Sequence, residues 1–171
     1  MDQTITAADA ANFELSEDQV AFRSAAATFA AAELAPQAAH WDAEGIFPRE
    51  AIGKAGELGF CGIYTPEAQG GIGLSRHDAT LIFEELAAAD PSTAAYISIH
   101  NMATWMIATW GQPALREQWA GPMAAGLKLG SYCLTEPGAG SDAASLKTRA
   151  VRDGDDYVLE GAKAFISGAG A

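Results

Sequence analysis

Residues 132–142 read YCLTEPGAGSD, the stretch of this 171-residue chain whose residue types come nearest to chemistry. Tyr132, Cys133, Leu134 and Thr135 favour extended backbone. After Glu136, Pro137 and Gly138 end it in a turn, because proline fixes φ and glycine accepts positive φ. Gly138 and Gly140, separated by Ala139, leave backbone N–H groups uncovered, and Ser141 adds a hydroxyl; such a surface can lie close against a flat ring or a phosphate. A glycine-rich hairpin loop that binds nothing has the same composition. The stretch is not a phosphate fingerprint: Ala143 stands where G-x-G-x-x-G needs its third glycine, and the G-K-[ST] of a P-loop is missing.

The other chemistry-bearing residues nominate little. Glu84-Glu85 and Asp155-Asp156 are adjacent pairs, which point apart on a helix or hairpin and cannot share a proton. Ser141 and Ser167 lie outside any G-x-S-x-G elbow. His40, His77 and His100 show no metal-ligand spacing, and Cys61 and Cys133 form no C-x-x-C; both cysteines are expected to be small buried residues rather than a disulfide. Met102, Trp105, Met106 and Trp110, at helical spacings, are expected to pack in the core. His100 and Asn101 interrupt the same apolar run, and satisfied buried hydrogen bonds are the expectation for them.

Composition sets the class. With 49% hydrophobic residues the chain can bury a core, and 22 acidic against 10 basic residues give a net charge of −12. That charge opposes nonspecific binding to nucleic acid or anionic membrane. No apolar run reaches bilayer length, and acidic residues occupy the first twenty positions where a secretory signal would be basic, so a soluble intracellular protein is expected.

The elements change character near residue 126. Before it, Ser16 to Gln19 fits a capping box opening a helix that runs until Pro36. Pro48 opens a second helix through Leu58, Ser75 caps a third, Pro91 opens a long fourth, and Pro113 starts a fifth that Gly121-Pro122 shortens or kinks. After it, alternation predicts strands in LGSYCLT, SLKTRAVRD, DYVLEG and AKAFISG, with a hairpin at Asp153-Gly154-Asp155. The fold class expected is α+β: a helical bundle over 1–126, then the first strands of an antiparallel β-domain over 127–171. Four strands with one apolar face leave an open edge, so this reading expects the front part of a larger protein or pairing with another copy.

TEPGAGSD, followed at the right distance by SLKTRA, DGDDYVLEG and KAFISGAG, resembles the flavin-contacting region of the acyl-CoA dehydrogenases. LGFCGIY at 58–64 and GGIGLS at 70–75 resemble that family's N-terminal helical domain, and the likeness extends from about residue 14 onward. SIHNMATWM and Phe165, Ile166 and Ser167, in place of the commoner W-I-[ST], resemble its isobutyryl-CoA branch. The resemblance implies FAD as cofactor, a short branched acyl-CoA as substrate, α,β-dehydrogenation as reaction and electron-transfer flavoprotein as electron acceptor. It further implies a homotetramer, in the cytoplasm of a bacterium or the mitochondrial matrix of a eukaryote.

By the same resemblance, Tyr132, Cys133, Leu134, Thr135, Glu136, Pro137, Gly138, Ala139, Gly140, Ser141, Phe165, Ile166 and Ser167 would contact the cofactor. Ser141 would also meet the CoA portion, and the Ser167 hydroxyl would lie near flavin N5. The family's base is a glutamate of a C-terminal helical domain to which no residue here corresponds; Glu84, Glu85 and Glu136 read as solvated or structural carboxylates. The 171 residues alone are therefore expected to bind FAD poorly and to lack turnover. Two other classes stay open: a noncatalytic helical module acting through oligomerisation or partner contact, and, within the superfamily that the resemblance implies, a flavin oxidase or monooxygenase.

Overall fold

The computed structural model describes residues 14–170. Ser16 caps the first helix, α1 (Glu17–Phe29), by the reciprocal exchange its spacing predicts: Gln19 N–H donates to Ser16 Oγ at 3.2 Å and Ser16 N–H to Gln19 Oε1 at 3.0 Å. The helix then widens into a π turn over Ala30–Leu34, and Pro36 prevents further propagation. A short helix α2 (Ala38–Glu44) follows, ended by Gly45 in the left-handed region, and α3 (Arg49–Glu57) starts after Pro48. Ser75 caps α4 (Arg76–Ala89) through a second capping box with Asp78, and Asp90 caps α5 (Pro91–Trp110). Helix α6 (Pro113–Ala124) contains Pro122 and ends two residues after it.

The bundle is layered as α1 on α4, α4 on α5 and α5 on α6. Phe29, Leu34, Ile52, Phe60, Ile63, Ile82, Leu86 and Ile97 form its core, with Phe29 and Phe60 meeting edge to face at 5.8 Å. Arg23 on α1 pairs with Glu85 on α4 at 2.6 Å, which gives Glu85 a structural role. Gln19 reaches across the same interface to Asp78 Oδ1 at 2.9 Å, so the two capping boxes are joined. Replacing Ser75 by alanine removes the acceptor for Asp78 N–H and should cost about 1 kcal/mol, read as a lower denaturant midpoint at unchanged slope.

Past Gly126 the described chain holds one antiparallel pair, β1 (Arg149–Asp153) and β2 (Asp156–Glu160), closed by the expected turn with Asp153 opposite Asp156. Every residue of both strands is exposed. The strands predicted at LGSYCLT and AKAFISG do not form. Both segments are present as irregular chain lying side by side, joined by Ala164 N–H to Thr135 C=O at 2.9 Å. Alternation makes the backbone extended, but a strand also needs a partner ladder, and one shared backbone hydrogen bond is not a ladder.

Two packing expectations also change. Trp110 is 65% exposed, and Met102, Trp105 and Met106 are only half-buried. Helix α5 turns its small and polar residues inward instead, among them Thr93, Ala94, His100, Asn101, Thr104 and Ala108. The outward aromatics are occupied otherwise: the Arg76 guanidinium lies 3.5 Å from the Tyr64 ring centre and 4.7 Å from that of Trp105, and Trp105 meets Trp110 at 4.6 Å. Cys61 is buried as expected, its thiol pushed up to about 12 by burial, but Cys133 is exposed. Both are free thiols.

Candidate functional site

The segment singled out by its residue types and the one nominated by the resemblance lie side by side. Residues 131–136 run beside 163–168, held by the 164–135 backbone bond, by Ser131 Oγ donating to Ser167 C=O at 2.6 Å and by Lys163 Nζ donating to Leu134 C=O at 3.0 Å. The backbone N–H groups of Tyr132, Cys133, Leu134 and Thr135 donate to no other described group. Where the chain is extended, successive N–H groups face opposite sides, so Cys133 and Thr135 offer donors on one side and Tyr132 and Leu134 on the other. These amides are open to solvent or to an acceptor.

The turn after it is tight. Glu136 and Ala139 exchange both backbone hydrogen bonds, at 3.0 and 3.1 Å, with Pro137 and Gly138 at the corners. Gly140 and Ser141 follow, exposed. The Glu136 carboxylate is buried: it accepts from Lys147 N–H at 2.7 Å, from Thr148 N–H at 2.9 Å and from Lys163 Nζ at 2.9 Å. The neighbouring Thr148 side chain, those amides and the ammonium hold its carboxyl down to about 2. Because Thr148 Oγ1 itself makes no hydrogen bond, the two amides and Lys163 are the contacts that carry the charge. Glu136 is thus a structural carboxylate, as its sequence context suggested.

On the facing segment, Phe165 has φ of 56°, a left-handed conformation uncommon for an aromatic residue, and its ring is 95% exposed. Ile166 and Ser167 are half-buried. Behind Ser167 and Gly168 opens a cleft of about 290 Å³, walled by Trp41, Phe47, Thr93 and Tyr96. Phe47 and Tyr96 meet edge to face at 4.8 Å. Gly168, at φ 78°, lies so close to the Tyr96 ring that a Cβ would stand 2.4 Å from it.

Helix α5 supports the site from behind. His100 is fully buried, and burial lowers its affinity for a proton, so the ring is neutral. Gly130 N–H donates to His100 Nδ1 at 3.0 Å; the remaining proton is then on Nε2, which donates to Met123 C=O at 2.9 Å. Asn101 is also fully buried and fully used, accepting from Ile63 N–H and donating to Phe60 and Ile97 carbonyls. Both polar residues are satisfied as expected. The hub made by Glu136 and Lys163 had no signal in the sequence, because its partners lie 11 to 27 residues away.

Comparison with known proteins decides the family. Residues 16–127 match the acyl-CoA dehydrogenase N-terminal domain, and residues 131–171 match the middle domain. The chain belongs to the acyl-CoA dehydrogenase family. It is 53% identical over 156 residues to the mitochondrial isobutyryl-CoA dehydrogenase of Dictyostelium discoideum and 52% identical to that of Bos taurus, in each case over 91% of this chain and 38% of the relative. The chain therefore spans about two-fifths of the length of these dehydrogenases. Among solved structures, PigA with FAD and proline superimposes at a TM-score of 0.83 with 26% identity, over 91% of this chain and 42% of PigA. Among the described residues no helix is long and apolar enough to cross a membrane.

Proposed function

We propose that this chain supplies the helical unit, up to about residue 126, and the flavin-facing start of the middle unit, from 127, of an FAD-dependent dehydrogenase acting on a short branched acyl-CoA such as isobutyryl-CoA. The observation that carries the reading is the edge formed by Tyr132 to Thr135, with four unpartnered N–H groups beside the exposed Phe165 ring and Ser167. Identity above 50% to two isobutyryl-CoA dehydrogenases supports the substrate, and the FAD named for PigA supports the cofactor.

The donor set fits a flavin. The N–H groups of 132–135 and the Thr135 hydroxyl would hold the pyrimidine edge, where negative charge accumulates on reduction; fixed donors stabilise such charge without reorganising. Phe165 would cover part of the ring system, and Ser167 would offer its hydroxyl near N5. Glu136, Pro137, Gly138, Ala139, Gly140 and Ser141 would shape the turn beside the cofactor, with small residues admitting the CoA portion at Ser141. FAD, when bound, supplies the acceptor for the hydride that leaves the β-carbon. A base matched to the weakly acidic α-proton is also required; among the described residues, Glu85 is paired with Arg23 and Glu136 is held by Lys163 and two amides, so neither is free for it. Electron-transfer flavoprotein would be the electron acceptor and a homotetramer the assembly. The compartment would follow the host, the bacterial cytoplasm or the mitochondrial matrix.

The test is a chimera in which residues 16–171 replace the matching segment of the Bos taurus enzyme. It should purify yellow, and isobutyryl-CoA should bleach its flavin under anaerobic conditions faster than straight-chain acyl-CoAs do. A colourless chimera defeats the flavin reading, and bleaching only by longer thioesters defeats the substrate. In the yellow chimera, Ser167→Ala should slow bleaching about tenfold to a hundredfold, as loss of one donor at a reacting centre does. An unchanged rate removes Ser167 from that role.

A further inference from the structure

Gly130 is the residue immediately before the orphan-donor edge, and one face of α5 holds it at both polar ends. Its N–H donates to His100 Nδ1 at 3.0 Å and its C=O accepts from the Tyr96 hydroxyl at 3.3 Å. Tyr96 and His100 are one helical turn apart, and their rings stack at 6.1 Å and 24°. His100 is anchored in turn to Met123 C=O at the end of α6. Tyr96 also forms the wall against which Gly168 lies, and Ser131 binds Ser167 C=O, so the same helix face sets the position of both site segments. A Cβ at position 130 would stand 2.5 Å from Met123 Cε, so a larger residue there has to displace the end of that side chain.

We propose that Tyr96 and His100 are positioning residues for the flavin edge: they grip both ends of the Gly130 peptide and fix the register of residues 131–135 against 163–168. The inference rests on the flavin reading above. The neutral imidazole matters because only an unprotonated Nδ1 accepts from an amide, while the hydrogen on Nε2 is needed by Met123. Neither residue need touch the cofactor. Their effect is on where the four orphan N–H groups point, and misplacement by about 1 Å at a reacting centre is enough to cost orders of magnitude.

The experiment uses the ¹⁵N-labelled 171-residue chain, titrated with FAD to millimolar concentration. In the wild type, amide shifts of residues 132–135 should move with FAD, and Gly130 should exchange slowly. His100→Ala should speed Gly130 exchange about tenfold and weaken FAD binding by a similar factor. His100→Asn, whose Oδ1 occupies the place of Nδ1, should recover most of both. Tyr96→Phe keeps the ring and removes only the hydroxyl; it should shift the amides of 131–135 and weaken FAD while the amides of Ala26 and Ile82 stay fixed, and it carries the test if His100→Ala does not fold. Unchanged Gly130 exchange in both variants overturns the grip. Faster exchange with unchanged FAD affinity reduces the pair to a structural role and overturns the positioning. If the 132–135 amides of the wild type ignore FAD, as weak binding by the 171 residues alone allows, the titration and both variants are repeated in the flavin-depleted chimera with the Bos taurus enzyme; amides of 132–135 that ignore FAD there defeat the flavin reading itself.

Discussion

Asn101→Leu is expected to lower the stability of the fold by about 2–5 kcal/mol. The side chain is fully buried and joins α5 to the loop that follows α3. Its Oδ1 accepts Ile63 N–H at 2.7 Å, and its Nδ2 donates to Phe60 C=O at 2.7 Å and Ile97 C=O at 2.9 Å. Leucine matches the branching but is bulkier, so its gain in hydrophobic transfer is offset by overpacking, and it strands a buried N–H and a buried C=O that water cannot reach. Each such group costs about 1–3 kcal/mol, which exceeds the gain. Urea unfolding should show the loss as a lower midpoint with unchanged slope. Asn101→Asp is the informative control: it keeps the acceptor for Ile63 N–H but turns an oxygen toward two carbonyls, so it should also be destabilised, and more so once ionised. If Asn101→Leu unfolds within 1 kcal/mol of the wild type, the loop relaxes to satisfy itself and the staple is not needed.

The helical half was legible because its signals are local. Ser16, Pro48, Ser75, Pro91 and Pro113 each begin a helix within a residue of where cap chemistry puts them. Helix α2 was missed for the same reason inverted: Gln37 makes no side-chain cap, and only Gly45 marks its end. The inward face of α5 was not legible, since a helix apolar all round does not say which side meets its neighbours. Close packing against α4 and α6 selected the small residues, and the tryptophans went outward to Arg76 and to each other.

At the site, the extended edge of 132–135 and the Pro137-Gly138 turn were readable from residue types. The absence of a strand there was not, because pairing is a property of two segments. His100 and Asn101 were visible as polar residues in an apolar run, a pattern that predicts satisfied hydrogen bonds without naming partners. Gly130 as the partner of His100, and Lys147, Thr148 and Lys163 as partners of Glu136, depend on chain reversals that no local pattern encodes. The residues that would touch the cofactor were therefore easier to nominate than those that hold them still.

Glu136→Ala should do the most damage to the site while leaving the helical bundle intact. One carboxylate gathers the 147–148 backbone, the Lys163 ammonium and its own tight turn, and Lys163 also binds Leu134 C=O within the orphan-donor edge. Removing it leaves Lys163 half-buried and two amides without an acceptor, so the 137–148 loop and the edge both lose their reference. In the chimera with the Bos taurus enzyme, kcat/KM for isobutyryl-CoA should fall about a hundredfold, the scale of a small misplacement at a reacting centre. Glu136→Gln retains shape but turns an amide NH₂ toward donors, and should be intermediate. The wild type carries its own control in pH. Because the folded carboxyl is held near 2 against an ordinary value of 4.5, its contribution is complete above about pH 4.5 and disappears as the pH falls toward 2. While the protein stays folded, the amide shifts of Lys147 and Thr148 should move only as the pH approaches about 2, where the carboxyl itself takes up a proton, and be flat over the same range in Glu136→Gln. Lys147 and Thr148 shifts that are insensitive to both the substitution and the acid limb would mean the loop is held by its own backbone, and Glu136 would lose its place at the centre of the site.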